Sequence, residues 1–259
     1  MWHHERHQRI CSLINTFNQL STERLVEELG VSKETIRRDL LHLEKTGELK
    51  RIHGGALSIN KEEPPINVRE KLNVNEKKSM VKRARNEIKS GQTLFIDAGS
   101  TTTLLAEELK KLSGLIIITN SWEVAYLLET CNQEEGVSGS NQVVLLGGKI
   151  NPQLKSTFGQ HTISEIHKYR ADMALLSPVG LDAHFGASSF DHDEAAIAEA
   201  MVNNADKVLL LADHSKIGKV SRVSYCPIKS IDFLITDKTI EDPLILDAMK
   251  KNAVLITSE

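Results

Sequence analysis

From Thr93 onward, short apolar runs recur with helical segments between them, and this alternation constrains the fold more than any other feature of the chain. The runs occupy residues 93–98, 115–119, 142–146, 173–176, 207–212, 233–236 and 254–257, and helical patterns fill 102–112, 122–131, 162–169 and 194–203. The runs are nearly continuous in apolar residues, as expected of strands buried on both faces, and intervening helices imply crossovers between parallel neighbours. The expectation is an α/β fold: a doubly wound domain over residues 76–259. In such a sheet, ligands gather beyond the carboxyl ends of the strands. The residues that follow each run therefore matter most: Asp97-Ala98-Gly99-Ser100-Thr101-Thr102-Thr103, Asn120-Ser121, Gly147-Gly148-Lys149, Ser177-Pro178-Val179-Gly180 and Asp213-His214-Ser215-Lys216.

The first of these tips carries the most chemistry. Gly99 lets backbone come close to a ligand, and Ser100, Thr101 and Thr102 supply hydroxyls where a helix begins. Free N–H groups and the helix dipole favour an anion there, phosphate above all, although the same hydroxyls suit an ordinary N-cap. Lys216, after another strand, offers a fixed positive charge. Ahead of the sheet, Asn75 is expected to cap a helix ending before Gly91, with Met80, Ala84 and Ile88 on one face. Its Lys77, Lys78, Lys82, Arg83, Arg85 and Lys89 read as a solvated basic surface, with anion contact by one of these lysines a lesser alternative.

The first 59 residues follow a different period. Ile10, Leu13, Ile14 and Phe17 form one helical stripe. Ser21 and Gly30 bracket a second helix carrying Leu25, Val26 and Leu29. Ser32 and Gly47 bracket a third carrying Ile36, Leu40 and Leu43. Two short helices joined by a tight Gly-containing turn make a helix-turn-helix. The third helix places Ser32, Lys33, Thr35, Arg37 and Arg38 away from its apolar stripe, where Arg and Lys suit guanine acceptors and phosphates. Residues 48–59 read as strand, Gly54-Gly55 turn, strand: a wing offering Lys50, Arg51 and His53 to a phosphate backbone. An ordinary three-helix bundle, with Glu34 and Arg38 a surface pair, would show the same stripes. The capped turn, the basic face and the basic wing together favour double-stranded DNA. Residues 60–75, with Pro64-Pro65, read as a linker.

Composition sets limits. Hydrophobic residues at 40% and charged residues at 26% suit a packed interior. A net charge of -3 excludes a histone-like mass binder of nucleic acid but permits a local patch. No apolar stretch approaches the roughly 18 residues that a membrane helix needs, and the start lacks the apolar core of a signal peptide. Cys11, Cys131 and Cys226 are odd in number and widely spaced, as free thiols in a reducing compartment would be. The expectation is a cytoplasmic protein without cofactor, metal or membrane partner.

The string VSKETIRRDLLHLEKTGELKRIHGGA, from Val31 to Ala56, resembles the N-terminal signature of DeoR-type bacterial transcriptional regulators. IDAGSTT, TNS, LLGGK, Phe158-Gly159 and LADHSK follow in the order of that family's effector domain, so the resemblance spans nearly the whole chain. It implies that Ser32 to Arg38 read bases and that Arg51 to Gly55 form the wing. It also implies an effector domain similar in fold to pentose-phosphate isomerases. Carried onto this chain, the resemblance implies phosphate contacts at Ser100, Thr101, Thr102 and Lys216, with Lys77 secondary, and Asp97 facing sugar hydroxyls. Asn120, Gly148, Gly180 and Asp213 line the remaining tips, and Glu194 matches an acidic position common in the family.

One tip departs from the pattern. Val179 stands where an Asp is usual, and valine can neither take a proton nor accept a hydroxyl hydrogen bond. Downstream, Asp191, His192 and His184 offer metal ligands, but neighbouring residues on one loop rarely converge on an ion, and Asp191 or Asp193 reads first as a cap of the following helix. His3, His4 and His7 beside Trp2 read as a frayed, solvated start with at most adventitious metal affinity. Three functions fit these residues. They are a ligand-responsive regulator, most simply a repressor released by a phosphorylated metabolite; an isomerase-like enzyme with a helical appendage; and an architectural DNA-binding module. The first accounts for both halves, and it implies a homo-oligomer, because one such front domain makes too few contacts for useful specificity.

Overall fold

A computed structural model describes residues 3–17, 19–52, 54–58, 63–135, 141–250 and 254–258. The chain forms two compact units, Met1–Arg69 and Glu70–Glu259.

In the front unit, α1 (His3–Phe17), α2 (Thr22–Leu29) and α3 (Lys33–Lys45) surround a core of Ile10, Ile14, Leu25, Ile36, Leu40 and Leu43. Ser21 caps α2 by accepting from the Arg24 N–H at 3.1 Å. Gly30 ends that helix with a left-handed φ of 64°, which a side chain would resist. Ser32 then caps α3 through the Thr35 N–H at 3.2 Å.

The wing differs from the sequence expectation in two ways. β2 (Leu49–Ile52) and β3 (Gly55–Ser58) pair with Ile52 opposite Gly55, so the two connecting residues are His53 and Gly54, not the two glycines. Gly55 instead opens β3, where a short added strand, β1 (Gln19–Ser21), packs so closely that a Cβ would lie 2.2 Å from the Leu20 carbonyl oxygen. His53 itself lies outside the described residues. Residue 59 and residues 60–62 of the expected linker are also outside them, and within that linker α4 (Ile66–Arg69) adds one helical turn.

In the rear unit, the seven apolar runs become seven parallel strands. They are β4 (Thr93–Ile96), β5 (Ile116–Thr119), β6 (Gln142–Leu145), β9 (Ala171–Leu176), β12 (Ala205–Leu211), β14 (Phe233–Thr236) and β15 (Val254–Thr257). Their order across the sheet is β15-β14-β12-β9-β4-β5-β6. Side chains alternate between two cores. Leu94, Ile96, Met173, Leu175, Leu209 and Leu211 face α5 (Val74–Arg85), α6 (Ser100–Leu109) and α7 (Trp122–Glu135). Phe95, Ala174, Leu176, Val208 and Leu210 face α8 (Gln160–Ile166), α9 (His192–Asn203) and α10 (Pro243–Lys250). Burial of both faces explains why the runs read as unbroken.

Three irregular pieces decorate the carboxyl edge. β7 (Lys149–Asn151) and β8 (Ser156–Phe158) form a hairpin, and β10 (Gly180–Asp182), β11 (Gly186–Ser189) and β13 (Val223–Cys226) form a small antiparallel sheet. A 3-10 turn, Ile228–Ser230, leads into β14. No helix among the described residues is long and apolar enough to cross a membrane.

Candidate nucleic-acid interface and effector site

The first turns of α3 stand in solvent. Lys33, Arg37 and Arg38 side chains are 70%, 64% and 78% exposed. Glu34 pairs with both arginines, at 3.2 Å to Arg37 and 3.3 Å to Arg38, and Lys33 reaches Glu23 on α2. Exposed pairs of this kind hold side chains weakly, typically by less than about 1 kcal/mol, so the cations remain available to phosphate and base edges. Ser32 and Thr35 are committed to each other, with their hydroxyls 2.9 Å apart. On the wing Lys50 is exposed, and the Arg51 backbone N–H donates to Glu44, fixing β2 against the end of α3.

The opposite side of α3 is anchored. Asp39, 3% exposed, accepts from Arg6 Nε at 2.6 Å and lies 2.9 Å from His7 Nε2. Burial pushes the Asp39 carboxyl up, but the Arg6 and His7 hydrogen bonds outweigh it and hold the group below the usual carboxylate range. His3 and His7 therefore do not belong to a frayed segment: both lie in α1, and His7 is 8% exposed. His4 belongs to α1, its side chain outside the described set, as is the whole of Trp2.

The rear site lies where the sheet order reverses. From β4 the chain steps to β5 and β6 on one side, then returns to β9 beside β4 and continues to β12, β14 and β15 on the other. The crevice of an open α/β sheet falls at such a switch point, here between the tips of β4 and β9. Asp97 and Ser177 meet there, the Ser177 N–H donating to Asp97 Oδ2 at 3.4 Å. Gly99 occupies the N-cap position of α6, its backbone extended, and Ser100, Thr101 and Thr102 are buried in the first turn. Thr102 donates its hydroxyl to the Gly99 carbonyl, a local cap bond. Lys77, 4% exposed on α5, donates from Nζ to Ser100 Oγ at 2.9 Å. A lysine expected on a solvated helix face is thus buried against the anion-favouring end of α6.

The flanking tips divide. Asn120 is 5% exposed, donates to the Thr157 carbonyl, and has a buried Oδ1 without a hydrogen-bond partner. Asp213 is buried and organises its own loop, accepting from the Ser215 N–H, while the Lys216 N–H donates to the Asp213 carbonyl. That loop is strapped to β10 by Leu181 N–H to the Lys216 carbonyl and Gly218 N–H to the Leu181 carbonyl. Gly148 and Gly180 are explained by packing. A Cβ at Gly148 would lie 2.1 Å from Thr162 Oγ1, and one at Gly180 would lie 2.5 Å from the Lys219 carbonyl oxygen. Glu194 accepts from the Ser189 hydroxyl at 2.9 Å in the first turn of α9. Val179 is half-buried, with its N–H on the Ser188 carbonyl, so the tip keeps its shape without a carboxylate.

The downstream acidic cluster is a cap. Asp191 accepts from the Asp193 and Glu194 N–H groups, and Asp182 accepts from the His184 and Phe185 N–H groups. Among the described residues, Asp191, His192 and His184 form no group with metal-ligand geometry. Burial pushes the Cys226 thiol up to about 12, and burial with the nearby Glu48 raises Cys11 to about 11. Both are free and neither is activated. The Cys131 side chain lies outside the described residues.

Three contacts were not foreseen from sequence. Asn73, in the left-handed region at φ 50° just before α5, donates to Asp213 Oδ1 at 3.1 Å; the helix thus starts two residues earlier than the Asn75 cap would place it. Lys155, also left-handed, bridges Glu123 and Glu70, and those bonds raise its pKa. Desolvation and repulsion from Lys216 lower the Lys219 ammonium, with Asp213 opposing. Of these, only Asn73 left a trace in the sequence, since Asn tolerates positive φ better than most residues.

A reader helix with a basic face, joined in one chain to a sheet whose switch point gathers hydroxyls and a buried ammonium, defines a ligand-sensing DNA-binding protein. Family comparison agrees: residues 6–62 match the DeoR-like helix-turn-helix domain and residues 72–238 match the DeoR C-terminal sensor domain. The chain is 36% identical over 239 residues to the HTH-type transcriptional regulator GlpR of Haloferax volcanii, covering 92% of this chain and 91% of that protein. It is 33% identical to the glycerol-3-phosphate regulon repressor of Escherichia coli strain K12, covering 90% of each. It is 30% identical to the HTH-type transcriptional repressor GlcR of Bacillus subtilis, covering 100% of this chain and 98% of that protein. A solved ribose 5-phosphate isomerase A from Methanocaldococcus jannaschii aligns with a TM-score of 0.40 and 18% identity over 57% of this chain and 56% of that one, too slight a likeness to inform function. The chain belongs to the DeoR family: it is a DNA-binding transcriptional regulator with a C-terminal sensor domain, and its relatives are regulators and not enzymes.

Proposed function

We propose that the protein represses a carbohydrate-metabolism operon and is released when a phosphorylated small metabolite binds the rear unit. The observation that carries the reading is Lys77, a buried ammonium donating to Ser100 at the start of α6. A phosphate placed there meets the free N–H groups of the helix, the hydroxyls of Ser100, Thr101 and Thr102, and positive charge from Lys77 and Lys216. Asp97 and the open Oδ1 of Asn120 suit hydroxyls on the body of the ligand. Gly99 leaves room beside the phosphate, whereas Gly148, Gly180, Asp213 and Glu194 shape the surrounding tips. The relatives' names support this class of ligand, since one regulates a glycerol-3-phosphate regulon.

On DNA, Lys33, Arg37 and Arg38 read base edges and phosphates from the major groove, with Ser32 and Thr35 at the start of the helix and Lys50, Arg51 and His53 on the backbone. Two or more copies of the chain cooperate on repeated half-sites. Domain limits of 1–59 and 76–259, joined by 60–75, fit this division. Release requires the ligand to favour one arrangement of the reading heads, and coupling of about 1–3 kcal/mol suffices in typical cases.

The test combines two measurements on the full chain. A thermal-shift screen against phosphorylated sugars and polyols should find a ligand that raises the unfolding midpoint by mass action. That ligand should weaken binding to a DNA fragment selected from the chain's own genome. If no double-stranded fragment is preferred under any condition, the regulatory reading fails.

A further inference from the structure

Outside both sites, the described residues bring three metal-ligand side chains together, in the front unit. His3 and His7 are four residues apart on α1 and so share one face of the helix. Both turn Nε2 toward Asp39 of α3, at 3.7 Å and 2.9 Å from the same Oδ1. The rings lie with centroids 3.9 Å apart and planes tilted by 50°, and the three donor atoms lie within 4.8 Å of one another.

We propose that His3, His7 and Asp39 bind a divalent late first-row cation, Zn2+ being the natural probe, which staples α1 to α3. Two imidazoles and one carboxylate suit such ions, and tetrahedral zinc needs donor atoms about 3.2 Å apart. His7 and Asp39 already meet that spacing, and His3, 65% exposed, is free to close the remainder. Arg6 sets a positive charge beside the carboxylate, which limits the affinity, yet it also orders the ligand. Its Nε holds Oδ2 at 2.6 Å and fixes the plane of the carboxylate so that Oδ1 faces the imidazoles. Its Nη2 also reaches Oδ1 at 3.1 Å, leaving the other lone pair of that oxygen for the ion. Hydrogen-bonded ligating carboxylates of this kind are usual around bound metals. In the metal-bound form each imidazole carries its proton on Nδ1 and presents the Nε2 lone pair; the ion takes the place of the His7–Asp39 hydrogen bond, and the His7 proton moves from Nε2 to Nδ1 without net loss. The fourth position falls to water or to His42, whose ring centroid is 5.1 Å from that of His7.

Titration of the metal-stripped full-length protein with Zn2+ by calorimetry tests the site, with His3→Ala and Cys11→Ser as variants. His3→Ala removes an exposed ligand and leaves the Arg6–Asp39–His7 contacts standing, so it should fold. The expected result is one saturable equivalent per chain, weakened at least about tenfold in His3→Ala and unchanged in Cys11→Ser. Zn2+ should also raise the unfolding midpoint of the parent protein but not that of His3→Ala. Absence of saturable binding, equal affinity in His3→Ala, or loss of binding in Cys11→Ser would each overturn the assignment.

Discussion

Arg37 sets the terms at the scale of single residues. Its guanidinium projects from α3 with 64% of the side chain in water and only Glu34 beside it. A planar fork so placed suits bidentate contact with guanine. Arg37→Ala should therefore weaken operator binding by about 1–3 kcal/mol and relax specificity at one base pair, as read by anisotropy on a set of single-base operator variants. A uniform loss across all variants would make Arg37 a phosphate contact instead. In the rear unit, Lys77→Met keeps the stem volume and removes the charge; it should abolish the ligand-induced thermal shift and leave DNA affinity intact. Asn73 offers a finer test. Asn73→Gly retains the left-handed turn at low cost but deletes the amide bond to Asp213, and reduced ligand-driven release in a normally folded Gly variant is the expected outcome. Normal release would confine Asn73 to a backbone role. The burial of Ser100, Thr101 and Thr102 in the first turn of α6 was legible in the sequence, because hydroxyls and glycine just after a buried strand mark a helix start. The burial of Lys77 was not, since it depends on α5 lying against α6, a contact distant in sequence. The packing at Gly148 was illegible for a related reason: the side chain of Thr162 fills its space, and no local pattern records that.

Elements obey stronger rules, and the seven strands of the rear sheet were legible because burial on both faces leaves an unbroken apolar run. The pieces that escaped, β1, β7, β8, β10, β11 and β13, are three or four residues long, too short for any period to appear. In the front unit, the ends of α2 and α3 were legible from their Ser caps and from glycine in left-handed turns. The packing of α1 on α3 was not, because it turns on a polar group, Asp39, inside the helix interface. That group also predicts a pH response. Its folded pKa lies below the unfolded value of about 3.9, so the unfolded chain binds more protons as pH falls through that window. The stabilisation is complete above the unfolded pKa and disappears as pH drops through the folded one. Thermal unfolding of the parent and of Asp39→Asn across mildly to strongly acidic buffers should show the parent's advantage shrinking on acidification; a constant gap would mean that the Asp39 charge does not matter.

For the whole molecule, the front carries nine basic and eight acidic side chains over residues 1–60, so its grip on DNA depends on where the cations sit and not on overall charge. Five described cations face the proposed groove: Lys33, Arg37, Arg38, Lys50 and Arg51. At about 0.9 counterions released per phosphate neutralised, the logarithm of affinity should fall with the logarithm of salt at a slope no steeper than about -4.5 for each reading head engaged. A steeper slope in a salt series would place further cations, such as those on α5, against the duplex. In the rear unit, the left-handed backbone at Asn73 is held by its amide on Asp213 of the 213–216 loop, one residue before α5 begins. The start of α5 is thus tied to the same loop that carries Lys216, so a substitution that shifts that loop should also disturb the turn at Asn73.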